Sequence, residues 1–494
     1  MAAPGCASPN SQPQSTDTTM KKLHFKPIIT LILLLTATCA WSQTIKVACI
    51  GNSITAGAGI THPELNSYPA QLQALLGNGY QVTNYGVSGT TLLKKGNNPY
   101  WINSRYKEAL ESKPDIVFIK LGTNDSKAVN RPFLGSFKND YNELIRSFAQ
   151  LSSRPRIVLL LPLPSFKTDS NSIYDPVIKT RIIPLIQQVA YQDSLEVIDM
   201  HSLFINKPEL LPDGIHPQRE GASLIASRLY QLIRQKRDTI FNISANLPNP
   251  EKVSSFYGYV CADFSFNGRN CKVVKPKWAA AGHPWVWRAR FWGHEPQADI
   301  ALLEHGFHIV YCDVAELYGN KEAVNLWDKY YDLMRKAGLA KKVVLEGMSR
   351  GGVYLYNWAA ENPKKVACVY ADNPVLDLKS WPGGKGKGPG SKADWLKVQT
   401  DYNLKTPEGE AAFANSPINK VKQIVKGHYP MLHLLADADE VVPPEENTIP
   451  FEQRIRELGG NIVVYHKPGF KHHPHSLPNP SMIVDFILKN TGIN

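Results

Sequence analysis

Cysteine is scarce, seven in 494 residues, which excludes a small scaffold held together by disulfides. No apolar run reaches the roughly 20 residues needed to cross a bilayer, so no stable membrane span is expected. Zinc-finger spacing, a basic heptad and an aromatic RNA-binding stretch are all missing, so nucleic acid is not an expected partner. Lys and Arg are scattered rather than blocked. The net charge of +12 therefore reads first as solubility, with only a weak pointer to acidic glycans. No repeat links the two halves, which excludes a duplication.

What is present begins with length. A chain of 494 residues is too long for a single core and implies two to four domains. From Met20 the sequence runs Lys21-Lys22, an apolar stretch from Pro27 to Ala40, then Ala40-Trp41-Ser42. A positive start, a short apolar core and small residues before the expected cleavage point make a signal peptide, and an exported, periplasmic or secreted protein is expected. Residues 1–42 are accordingly set apart from the fold. Five cysteines follow, at 49, 261, 271, 312 and 368, and an odd number leaves at least one free thiol. Cys261 and Cys271 flank Asn267-Gly268 and are a candidate disulfide.

Strand-like runs at Ile45–Ile50, Gln81–Tyr85, Ile116–Leu121, Ile157–Leu161 and Leu195–Ile198 alternate with helix-like stretches such as Asn139–Leu151 and Val177–Tyr191. That alternation implies a parallel sheet covered on both faces, over residues 43–237. Two prolines and several Asn and Ser place a linker at 238–252. A second alternating pattern fills 253–494, with strands at His308–Cys312, Lys342–Glu346, Val366–Tyr370, Met431–Ala436 and Ile462–His466. The fold class expected is α/β, in two domains.

Each half carries a candidate nucleophile. In the first, Gly51-Asn52-Ser53-Ile54-Thr55 closes a strand, and Asn84–Thr90, Leu121–Asp125 and Asp213-Gly214-Ile215-His216 follow in order. Taken singly, Gly-Asn-Ser is a turn, Asn124 a helix cap and His216 a surface histidine. Four blocks in this order are more specific. Residues 43–237 resemble the SGNH (GDSL-type) hydrolases, a flavodoxin-like three-layer α/β/α sandwich, with Asn52 where that family usually has Asp. The resemblance implies Ser53 as nucleophile, His216 as base and Asp213 as its orienting acid. It implies an oxyanion hole from the Ser53 and Gly89 N–H groups and the Asn124 amide. The surroundings resemble the carbohydrate acetylesterase branch, including sialate O-acetylesterase-like proteins, where Trp101 would stack on a sugar ring.

In the second half, Gly347-Met348-Ser349-Arg350-Gly351 lies between a strand and a helix, the context of a nucleophile elbow. Residues 253–494 resemble the α/β-hydrolase fold, and the order Ser349, Asp439, His472 matches it. Asp437 competes with Asp439 as the acid, and His473 and His475 compete with His472 as the base. The Arg350 N–H would supply one oxyanion donor and Trp285–Arg290 a second, while Trp287 would line a pocket. Close spacing of histidines in one loop is not the helical i, i+4 pair of a metal site, so no metal and no cofactor is expected.

A serine hydroxyl becomes a useful nucleophile only when an imidazole takes its proton and a carboxylate orients that imidazole. Two such sets, with the signal segment and the resemblance to the carbohydrate acetylesterase branch, imply an exported carbohydrate esterase. The first domain would remove acetyl groups from an esterified glycan and the second would cleave an acetyl, methyl or hydroxycinnamoyl ester. A lipase is the rival, against which no apolar lid or interfacial helix is visible. A glycan-binding protein with a decayed site is the other.

Overall fold

Buried alternation explains the first sheet. In strand β1 (Ile45–Gly51), Ala48 and Ile50 face one apolar cluster while Val47 and Cys49 face another. A strand buried on both faces belongs in the middle of a parallel sheet. A computed structural model describes residues 44–493, together with Met1 and Ser15. The expected signal segment lies outside the described residues. Strands β2 (Tyr80–Gly86), β3 (Ile116–Lys120), β4 (Arg156–Leu160) and β5 (Glu196–Ile198) complete a five-stranded sheet of order β2-β1-β3-β4-β5, parallel throughout. The helix Phe137–Ala149 buries Phe137, Tyr141, Leu144, Ile145 and Phe148 against it, an i, i+4, i+7 stripe that covers one face. The strand order reverses between β1 and β3, and open α/β sheets bind ligands at the carboxyl ends of strands beside such a reversal.

Strand β6 (Arg237–Asp238) follows, and a 3-10 turn at Ile243–Asn246 leads into the second half. There β7 (Lys252–Phe256), β8 (Tyr259–Phe266) and β9 (Arg269–Lys275) form an antiparallel meander. Strand β10 (Ala279–Ala280) turns back to pair with β6. Then come β11 (Trp285–Ala289), β12 (His308–Cys312), β13 (Val343–Met348), β14 (Val366–Asp372), β15 (Met431–Ala436) and β16 (Ile462–Lys467). The nine-stranded order is β16-β15-β14-β13-β11-β12-β9-β8-β7. Its six strands from β16 to β12 are parallel, and β9 joins β12 antiparallel. The whole is two α/β folds, a flavodoxin-like sandwich followed by an α/β-hydrolase fold.

Thr44–Asn494 form one compact unit. Glu304, from the second half, accepts from the Asp199 N–H (2.6 Å) and from Arg228 (2.9 Å) in the first. Burial raises its pKa to about 7. Among the described residues no helix is long and apolar enough to cross a membrane.

Three expectations are corrected here. Cys261 and Cys271 are free, because on β8 and β9 Cys261 lies opposite Val274 while Cys271 lies opposite Phe264. Trp287 is fully buried, packed on Trp285, Trp327, Tyr330 and Trp358, so it has no surface to offer a substrate. Trp285–Ala289 is a strand and not a loop, so only Arg290 and the residues after it are free to approach a site.

Candidate active sites

Ser53 opens the helix Ser53–Ala56, two residues after β1 ends. Asn52 is the cap, its Oδ1 accepting from the Ile54 N–H at 3.1 Å. The Ser53 hydroxyl lies 2.8 Å from His216 Nε2, and His216 Nδ1 lies 2.6 Å from Asp213 Oδ2. A carboxylate only accepts, so Nδ1 carries the proton and Nε2 is free to take the one on Ser53. The other oxygen of Asp213 accepts the N–H groups of Ile215 (2.9 Å) and His216 (2.7 Å). Partial burial pushes the Asp213 pKa up, but these hydrogen bonds outweigh it and hold the carboxyl below its ordinary value.

Gly89 and Asn124 follow the ends of β2 and β3, which places both on the edge where Ser53 sits. Gly89 has φ +78°, a conformation that a side chain would strain. Asn124 is buried, and its amide donates to Thr90 O at 3.0 Å, which fixes the amide beside the Gly89 turn. Trp101 is partly buried. Its indole N–H donates to Leu92 O at 2.7 Å, and the Lys94 ammonium covers the ring at 4.2 Å.

Ser349 sits in the turn between β13 and the helix Gly351–Glu361, with φ +50°. The turn is tight because Ala289, at the end of β11, lies against it. A Cβ on Gly351 would fall 2.6 Å from the Ala289 carbonyl oxygen, so only glycine fits there. Ser349 Oγ lies 3.0 Å from His472 Nε2, and His472 Nδ1 lies 2.7 Å from Asp439 Oδ2. Asp439 Oδ1 accepts the N–H groups of Val441 and Val442, both at 2.9 Å. The rival acid, Asp437, instead holds His466. The rival base His475 gives its Nδ1 proton to Asp372 at 2.9 Å. His473 is exposed, and its pKa is lowered by partial burial and then by the neighbouring imidazoles of His475, His472 and His294.

Several contributors carried no signal in the sequence. Asn373 donates to the His472 carbonyl (3.3 Å) and accepts from the Ala436 N–H (2.7 Å), tying the His472 loop to the end of β15, just before Asp439. Asp372 is fully buried and also holds Lys467 at 3.2 Å and the Ser476 N–H at 2.7 Å. The Arg350 guanidinium, next to Ser349, lies over the rings of Phe291, Tyr318 and Trp381 at 5.5–5.9 Å. Asn373 and Asp372 belong to no short motif, since each acts through a distant partner, and for Arg350 the elbow motif pointed to its N–H and not to its guanidinium.

Residues 49–224 match the GDSL-like Lipase/Acylhydrolase family, and residues 329–489 match the Prolyl oligopeptidase family. Residues 49–224 thus belong to a GDSL-like acylhydrolase domain and residues 329–489 to an α/β-hydrolase domain of the prolyl oligopeptidase type. It is 43% identical over 210 residues to an acetylxylan esterase of Xylanibacter ruminicola, an alignment covering 39% of this chain and 44% of that one. The chain therefore spans less than half the length of this relative. Among solved structures it is similar to the acylaminoacyl peptidase of Pyrococcus horikoshii, at 15% identity and a TM-score of 0.37, over 47% of this chain and 41% of that one. A candidate arylesterase of Agrobacterium tumefaciens is similar at 22% identity and a TM-score of 0.32, over 38% of this chain and 98% of that one.

Proposed function

We propose that the protein is a carbohydrate esterase with two independent serine centres. The observation that carries this reading is the pair of complete serine–histidine–aspartate relays, each with hydrogen-bond distances of 3.0 Å or less. In each relay the imidazole Nε2 takes the serine proton as Oγ attacks the ester carbonyl. The imidazolium then protonates the leaving alkoxide, an acyl-enzyme forms, and water releases the acid by the same route. At the first centre, the Ser53 and Gly89 N–H groups and the Asn124 amide would hold the oxyanion, each such donor being worth about 3–4 kcal/mol. At the second, the Arg350 N–H would serve, with a partner from the segment after β11.

The acetylxylan esterase relative supports an O-acetylated polysaccharide as substrate of this chain. The second centre would cleave a different ester, acetyl, methyl or hydroxycinnamoyl, because tethering two esterases raises the local concentration of each on a doubly decorated glycan. Export by the segment at 20–42 fits a polymeric substrate. A second reading, peptide cleavage at Ser349, is favoured by the Prolyl oligopeptidase match alone.

The test is product release from acetylated xylan, pectin and xyloglucan by wild type, Ser53→Ala, Ser349→Ala and the double variant, with an aminoacyl p-nitroanilide in parallel. Loss of acetate from one glycan with the first change is expected, and with the second loss of a hydroxycinnamic acid, of methanol, or of acetate from a different glycan. Anilide cleavage that depends on Ser349, with no ester released, would replace the esterase reading of that centre by the peptidase one. Glycan esters left intact by wild type while a lipid ester is cleaved would remove the carbohydrate reading.

A further inference from the structure

Around the second base the loop after β16 gathers three imidazoles. His472, His473 and His475 present ring nitrogens that all lie within 4.8 Å of one another, the one such group of three potential metal ligands among the described residues. Their rings stand 4.8–4.9 Å apart and nearly perpendicular, and His294, from the segment after β11, lies 6.0 Å from both His473 and His475.

We propose that these histidines form a site for one divalent transition-metal ion of the zinc type, with His294 as the fourth ligand, and that its occupation silences the Ser349 centre while the Ser53 centre keeps working. The silencing half rests on the reading of His472 as the base of that centre. The site itself does not.

The ligand chemistry is specific. Imidazole suits zinc, copper and nickel and is a poor ligand for magnesium or calcium. Tetrahedral zinc at about 2.0–2.1 Å from each nitrogen needs ligand atoms about 3.3 Å apart. Three nitrogens within 4.8 Å reach that spacing by moving inward less than about 1 Å each. Two of the rings are already held as zinc ligands usually are, with one nitrogen bound to a carboxylate, and the metal would take the other nitrogen, displacing the Ser349 hydroxyl in the case of His472. His472 Nδ1 is on Asp439 and His475 Nδ1 on Asp372. Asp372 also holds the Lys467 ammonium, whereas Asp439 is paired with no lysine or arginine among the described residues, so one carboxylate charge is left uncompensated to meet the metal. His473 is exposed and provides the way in.

Coordination would occupy the lone pair on His472 Nε2, the one that accepts the Ser349 proton. A metal-bound imidazole cannot act as a base. At the first centre His216 has no such companions among the described residues, which makes the chain its own control.

The experiment titrates zinc chloride into the full chain by calorimetry and follows p-nitrophenyl acetate hydrolysis by Ser53→Ala, which reads the second centre, and Ser349→Ala, which reads the first. His473→Gln and His294→Gln are titrated alongside, each rate compared with the same variant in EDTA. One zinc per chain is expected, bound at least tenfold more weakly by His473→Gln. Zinc should lower the Ser53→Ala rate at least tenfold, reversibly with EDTA, and leave the Ser349→Ala rate unchanged. Absent stoichiometric binding, or binding that ignores His473→Gln, would overturn the site. Zinc bound through His473 without loss of the Ser53→Ala rate would overturn the silencing. If Ser53→Ala hydrolyses no ester even in EDTA, the esterase reading of Ser349 fails, and calorimetry still decides the site.

Discussion

The two centres share one local solution reached on unrelated folds. In both, one oxygen of the acid holds imidazole Nδ1, and the other accepts the N–H groups of the residues two and three positions on. They part in how the relay meets water. The Asp213 side chain is 52% exposed and that of His216 23%, against 0% for Asp439 and 8% for His472. The serines differ as well, Ser53 opening a capped helix and Ser349 sitting at positive φ in a crowded turn. The relay needs only a turn that presents a carboxylate to an imidazole, and how deeply that turn is buried is left to the fold.

That contrast is broken most directly at the acids. Asp439→Asn leaves an amide facing His472, favours the wrong tautomer and admits no water to repair it. A loss of about 10⁴-fold in kcat at the Ser349 centre is expected. Asp213→Asn has solvent at hand, and about a hundredfold loss at the Ser53 centre is expected. Paired steady-state assays in the Ser53→Ala and Ser349→Ala backgrounds compare the two, and equal losses would mean that burial of the acid is irrelevant.

The next predictions concern burial. Trp287→Ala removes a fully buried ring stacked 4.3 Å from Trp327, at a cost of about 3–5 kcal/mol in chemical denaturation. Trp101→Ala, at a partly exposed position, should cost less stability and instead raise KM at the Ser53 centre. Buried charge also differs between the halves. Arg288 is buried between Asp299 and Glu346, whereas Lys120 is fully buried and its ammonium has no hydrogen-bond partner among the described residues. Desolvation lowers the Lys120 pKa from 10.5 to about 7. An unfolded lysine binds its proton at the higher pH, so the penalty is absent above about pH 10.5, grows as the pH falls and is complete below about 7. Lys120→Met should therefore stabilise by a few kcal/mol at pH 7 and by almost nothing at pH 11, as thermal melts across that range would show.

Much of this was legible in the sequence because it is local. Strands β12 and β15 stand where the apolar runs put them. Asp213 and His216, three residues apart, were paired through the resemblance of their block to the SGNH hydrolases, and the structure brings them together. The strands β7 to β9 were not read, since their half-buried alternation mixes Lys, Ser, Asp and Arg into the pattern. Nor does sequence choose among His472, His473 and His475, because that choice is made by Asp439 and Asp372, 33 and 103 residues away. Trp287 was misread for a related reason. An aromatic run looks the same whether it lines a pocket or fills a core, and only the converging Trp327 and Trp358 tell them apart.

The smallest effect sharpens the comparison at the nucleophiles themselves. Asn52 caps a helix of four residues whose first member is Ser53, and its amide nitrogen has no hydrogen-bond partner among the described residues. Asn52→Ala therefore removes one capping bond and leaves no new orphan on the side chain, a loss of about 1 kcal/mol. The helix that follows Ser349 has no side-chain cap, and its entry is fixed by the closeness of Gly351 to Ala289. Loosening the cap at Asn52 should lower kcat at the Ser53 centre several-fold and leave the Ser349 centre untouched. An unchanged rate at Ser53, with the melting point lowered, would mean that His216 positions the nucleophile without help from the helix.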